Sequence, residues 1–251
     1  MATPVFFVYS RMLRSTIFKT QQQDPVHGFR LRGHDIKRIE TFSDGVFAFA
    51  VTLLIVSLEV PKTFEELLIS MRGFGAFAIC FTLLVLVWHE QNVFFRRYGL
   101  DDKVSILLNA CLIFIVLFYV YPLKFLFTLL FSDSIYPAGK NPFFIRDDQA
   151  PQLMVIYGVG YVAIYSTFTL LFYHALRKKD TLELNRFEVF DTRTRMYAQL
   201  VMAAAGVCSI LLALCLSSKH AGLSWMSYLA IGPLLWLVHG RRAVIRRRMT
   251  N

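Results

Sequence analysis

A chain of 251 residues that is 56% apolar, contains 24 phenylalanines and has a mean hydropathy of +0.50 is too apolar for an ordinary soluble domain. Its formal net charge of +10 would suit nucleic acid, yet the basic residues fall between apolar segments, where membrane topology explains them without a nucleic-acid role. Cys80, Cys111, Cys208 and Cys215 all fall inside those segments and match neither a disulfide framework nor a metal spacing, so they are expected as small buried apolar residues.

The first thirty or so residues are basic and begin with Val5-Phe6-Phe7-Val8-Tyr9. This run is too short for a signal peptide and no small-residue cleavage site follows, which leaves an interfacial amphipathic segment or a disordered tail. Six apolar segments follow, at roughly 39–60, 73–95, 104–131, 152–176, 196–217 and 223–238. A spanning helix needs about 20 mostly apolar residues, and the loops between these segments hold too little polar sequence to coat a soluble surface. The sixth segment is short and the third is long enough to tilt or project. The expected fold is an all-α integral membrane protein of six transmembrane helices. A basic cytoplasmic segment, 1–34, precedes the membrane domain, 35–240, and a basic cytoplasmic tail, 241–251, follows it.

Charge orients this array. Twenty-one lysines and arginines fall before the first segment, between the second and third, between the fourth and fifth, or in the tail. The opposite loops hold five, namely Lys62, Arg72, Lys140, Arg146 and Lys219, and Lys124 lies inside the third segment. Both termini are therefore expected in the cytoplasm.

The first segment opens with Arg38-Ile39-Glu40-Thr41-Phe42-Ser43-Asp44 before its apolar run. Charge is costly in hydrocarbon, so such a head sits at the interface or in a protein-lined site. At 100° per residue, Phe42, Phe49, Leu53 and Val56, flanked by Thr52, form one stripe of this helix. Asp44 falls about 140° away and points toward a neighbouring helix. Thr41, Gly45, Ala48 and Thr52 make a strip of small residues that would admit close helix approach. Packing against lipid and other helices explains both stripes as well as a pore wall does.

The run RIETFSDGVFAFAVTLLIVSLEVP, with RxxxFSD at its head and Pro61 at its end, resembles the first helix of the transmembrane-protein-175 family of potassium channels. Trp88 resembles the family's second-helix tryptophan, and Asn109 with Pro122 its asparagine–proline pattern. With a single six-helix unit and no internal duplication, the chain resembles the prokaryotic branch, which is tetrameric.

The resemblance implies a homotetramer in the cell membrane (inner or plasma), its pore lined by the first helix of each subunit and narrowed by a hydrophobic constriction. Phe49, Leu53 and Val56 would form that constriction, and Thr52 a hydroxyl layer. Arg38, Phe42, Ser43, Asp44, Trp88 and Asn109 would form the packing and hydrogen-bond network that holds the pore helix. Potassium is the implied permeant ion, with sodium passing less readily. A dry constriction imposes a dehydration barrier that is smaller for the more weakly hydrated cation.

Two features depart from the family pattern. Phe49 stands where an aliphatic residue is usual, and Gln91 and Asn92 replace paired histidines, with His89 and Glu90 displaced toward Trp88. His89 and Glu90 are expected to pair with Arg38 or Arg96, a proton relay being the alternative. Lys124 is expected to reach the outer interface, and His174 and His239 to sit at cytoplasmic helix ends. No nucleophile–base pair, phosphate loop or ligand-spaced cluster appears, so neither an enzyme nor a cofactor or metal site is expected. A secondary transporter is the second function class, with Gly158 and Gly160 as its candidate helix break; a non-transporting scaffold is the third.

Overall fold

The computed structural model of the chain describes residues 29–216, apart from 34, 57–59, 137–141, 143–144 and 147, together with 232. Seven helices occur among these residues: α1 (Arg38–Val56), α2 (Phe64–Arg72), α3 (Phe74–Tyr98), α4 (Lys103–Leu130), α5 (Ser132–Ile135), α6 (Ala150–Arg177) and α7 (Arg186–Cys215). Four of them, α3, α4, α6 and α7, are long and apolar enough to cross a membrane. The 19-residue α1 carries Arg38, Glu40 and Asp44 in its first two turns. The sixth expected segment, 223–238, lies outside the described residues, as do the basic tail and His239.

Local chemistry explains the helix ends. Helix α3 stops where Gly99 takes a left-handed conformation (φ +57°) and its N–H returns to the Phe95 carbonyl. A Cβ at Gly99 would lie 2.9 Å from the Arg32 carbonyl oxygen, so glycine is required twice over. Helix α7 starts with a capping box: Asn185 accepts from the Glu188 N–H at 2.8 Å, and Glu188 accepts from the Asn185 N–H at 3.0 Å. It therefore begins ten residues before the expected apolar segment. Helix α2 falls in what was expected as a loop. Its signal is the Thr63-x-x-Glu66 spacing, and the Thr63 hydroxyl accepts from the Glu66 N–H at 3.2 Å.

Packing follows small residues and aromatic rings. Helices α6 and α7 form the most extensive pair, and α4 lies between α6 and the α1–α3 side. Gly160 allows close contact, since a Cβ there would overlap the Tyr119 ring, and Gly206 does the same against Val162. The Tyr119 hydroxyl donates to the Tyr157 carbonyl, and the Tyr157 hydroxyl to that of Pro122. Helix α6 runs unbroken through Gly158 and Gly160, so these glycines serve packing and form no helix break. Phe94 and Phe172 meet edge to face at 5.4 Å, within the core that joins α1, α3, α4 and α6.

At the α3–α7 end, charge is buried in pairs. Arg97 and Asp191, 2% and 0% exposed in their side chains, bond at 2.6 Å, and the Tyr98 and Thr192 hydroxyls share a hydrogen bond of 2.7 Å. Residues 29–33 dock beside them. Phe29 is fully buried, with the Arg97 guanidinium 4.7 Å from its ring centre, and Gly33 N–H donates to the Arg96 carbonyl. The buried Glu188 carboxylate holds Arg32 at 2.7 Å and Arg30 at 3.3 Å.

Several single-residue expectations change. Glu90 pairs with Arg195 (3.4 Å) and Gln199 (3.0 Å), in place of the expected Arg38 or Arg96, because the polar start of α7 lies against α3. The Lys124 ammonium donates to the Leu54 carbonyl at 3.1 Å, so it turns inward onto α1. Cys80 alone of the four cysteines is buried; Cys111, Cys208 and Cys215 are exposed on the outside of the bundle. His174 sits at the end of α6 as expected and contacts Asp102 at 2.9 Å.

Candidate pore helix and its supporting network

Helix α1 is gripped on one side and open on the other. Ser43, Phe47, Ala50 and Leu54 are buried, and at 100° per residue they share one face. That face meets α4 and α3. The remaining arc carries Thr41, Phe42, Gly45, Ala48, Phe49, Thr52 and Ile55, all exposed. Phe42 is 62% exposed and Phe49 56%, and a Cβ added at Gly45 would meet nothing within 4 Å. Large apolar side chains left open in a row make this surface unpartnered among the described residues.

The buried face is held by polar bonds that sequence spacing alone does not reveal. The Ser43 hydroxyl donates to the Ile39 carbonyl at 2.8 Å and accepts from the Asn109 amide at 2.7 Å. The Asn109 carbonyl oxygen accepts in turn from the Gln91 amide at 3.0 Å. Ser43, Gln91 and Asn109 are each no more than 2% exposed, so α1, α3 and α4 are joined through a satisfied buried chain. One turn edge away, the Trp88 indole N–H donates to the Asp44 carboxylate at 2.7 Å.

The candidate residues thus separate into two groups. Ser43, Asp44, Trp88 and Asn109 come together in these contacts, and Gln91, which stood as a departure from the family pattern, completes the chain. Arg38 is exposed at the helix start and joins neither contact, and Phe42 lies on the open arc. Of the stripe residues, Phe49 and Thr52 are open, whereas Leu53 is half-buried and packs against the core. The Val56 side chain lies outside the described set. Ile55, about 120° from Phe49 on the helix, is also half-exposed, at the opposite edge of the arc. The Thr52 hydroxyl donates to the Ala48 carbonyl at 3.0 Å, leaving its oxygen as an acceptor only.

Outside the membrane segments, Asp102 gathers Ser105 (2.8 Å), His174 and Lys178 (3.3 Å). Burial raises its carboxyl pKa, but these hydrogen bonds outweigh burial and hold it down to about 2. Among the described residues no group of three His, Cys, Asp or Glu side chains is placed to hold a metal.

Long apolar helices with buried charge pairs at one end define a helical membrane protein. Residues 38–119 match the family described as the endosomal/lysosomal potassium channel TMEM175, a range that holds α1, the α3 network residues and Asn109. A potassium channel of Marivirga tractuosa is 43% identical over 192 residues, 74% of this chain and 78% of the relative. A potassium channel of Chamaesiphon minutus is 29% identical over 170 residues, 64% of this chain and 76% of the relative. The crystal structure of a variant of the potassium channel MtTMEM175, bound to a nanobody fusion, superposes with a TM-score of 0.76 at 39% identity. That match covers 86% of this chain and 97% of the other. The chain belongs to the TMEM175 family, and the relatives named above are potassium channels.

Proposed function

We propose that this chain is a potassium channel, formed by several copies whose α1 helices meet around a common axis. The observation that carries this reading is the two-sided character of α1. One face is bonded to α3 and α4 through buried polar groups, and the other leaves Phe42, Gly45, Phe49 and Thr52 without a partner among the described residues. An unpartnered arc of this kind suits a homotetramer with four copies of α1 at its centre. The complete subunit then has six spanning helices and places both termini in the cytoplasm.

In this arrangement Phe49, with Leu53 and Val56 on the same stripe, forms a dry constriction. Potassium sheds water there more readily than sodium, which gives selectivity without a carbonyl filter. Thr52 offsets part of the dehydration. Its hydrogen is committed to the Ala48 carbonyl, so the oxygen that faces an ion is an acceptor. The Ser43–Asn109–Gln91 chain and the Asp44–Trp88 contact fix the helix and do not touch the ion.

Reconstitution into liposomes with a potassium gradient tests this. Fast, uncoupled potassium flux is expected. Saturable, stoichiometrically coupled flux would instead identify a secondary transporter, and absence of flux a scaffold.

A further inference from the structure

A cleft of about 620 Å3 lies between α3, α4, α6 and α7. Most of its wall is apolar, with Leu83, Val87, Leu123, Ile164 and Met202 along it. His89, Glu90, Arg195 and Gln199 close one end. Arg195 directly precedes the apolar stretch of α7, so this end lies at the depth where a bilayer changes from hydrocarbon to headgroup.

The polar end contains an unmet hydrogen-bonding group. Gln199 is 9% exposed. Its amide nitrogen donates to the Glu90 carboxylate, which only the NH2 group can do, so the orientation of the amide is settled by chemistry. Its carbonyl oxygen is left buried with no hydrogen-bond partner among the described residues. Such a group carries a penalty that a donor placed there would relieve. The charges around it balance formally: Arg195 lies between Glu90 and Asp191, and Asp191 also pairs with Arg97. A ligand with net charge would upset that balance, whereas a zwitterion fits it.

We propose that the cleft is a binding site for one phospholipid of the surrounding bilayer with a primary-ammonium headgroup. Its acyl chain lies along the apolar wall, its phosphate approaches Arg195, and its ammonium donates to the Gln199 carbonyl oxygen beside Glu90. Phosphatidylcholine has the same charge and shape class but no N–H, so it cannot make this bond.

Native mass spectrometry of the full-length protein, titrated with dioleoylphosphatidylethanolamine or dioleoylphosphatidylcholine, tests the site. The ethanolamine lipid should bind about fivefold more tightly, the factor that one net hydrogen bond supplies. Gln199→Leu should abolish that preference, and Ala198→Trp, which fills the cleft, should lower retention of both lipids. Equal binding of the two lipids to the unaltered protein overturns the proposal, as does a preference that survives Gln199→Leu. Retention of no lipid also overturns it, because the cleft is then filled by water or by a neighbouring copy. None of these readouts depends on ion flux.

Discussion

Asp44 and Asn109 occupy neighbouring positions in the bundle but have different physical jobs. Asn109 is buried and uses both ends of its amide, so Asn109→Leu orphans the Gln91 amide and removes the donor to Ser43. This should destabilise the protein by about 1–3 kcal/mol, measured as a lower melting temperature in mild detergent. Asp44 bonds Trp88 at the edge of the open arc. Asp44→Ala should lower the yield of oligomer, and Trp88→Phe should reproduce the loss. The double variant should lose less than the sum of the two, since both remove one bond. A well-assembled Asp44→Ala protein with only its ion selectivity altered would contradict this. Asp102 supplies a pH test. Its carboxyl is held below the ordinary 3.8, so the unfolded chain takes up the proton first as pH falls. The stabilisation is complete above about pH 4 and is lost as pH falls toward 2. Asp102→Asn should remove that part of the acid sensitivity, as read from melting temperatures between pH 5 and pH 2.5.

At the scale of the element, hydropathy located the five long described helices, and the wheel of α1 separated Asp44 from Phe49. What it missed has physical causes. Hydropathy registers only the hydrocarbon-crossing part of a helix, so the polar start of α7 was invisible although Asn185 and Glu188 spelled its cap. The partners of Glu90 and Lys124 depend on which helices are neighbours, and a single sequence does not contain that. Exposure also broadens the α1 arc beyond the expected stripe, to Ile55 at its other edge. Lys124 reaches the carbonyl end of α1, where a cation is favourable. Lys124→Met should lower the melting temperature of the assembled protein by an amount equivalent to about 1–2 kcal/mol, and Lys124→Arg by less, because it keeps a charged donor.

For the whole molecule, the arrangement depends on orientation and on the pore. A cysteine introduced at Asp133, with Cys111, Cys208 and Cys215 replaced by alanine, should react with a membrane-impermeant reagent from outside intact cells. One at Asp180 should require permeabilised cells, and the reverse pattern would refute the orientation. The central claim is that one edge of the α1 arc lines a potassium-selective path. Phe49 and Ile55 are similarly exposed but about 120° apart on the helix, so only one edge can face a common axis while the other meets lipid or an adjoining copy. The most direct measurement is the reversal potential under bi-ionic potassium and sodium conditions for the unaltered channel, Phe49→Ala, Ile55→Ala and Thr52→Val. Phe49→Ala should raise conductance and shift the reversal potential toward non-selectivity, and Thr52→Val should weaken potassium preference while the path stays open. Ile55→Ala should change neither, and identical behaviour of Phe49→Ala and Ile55→Ala would contradict the assignment of the pore to this face of α1.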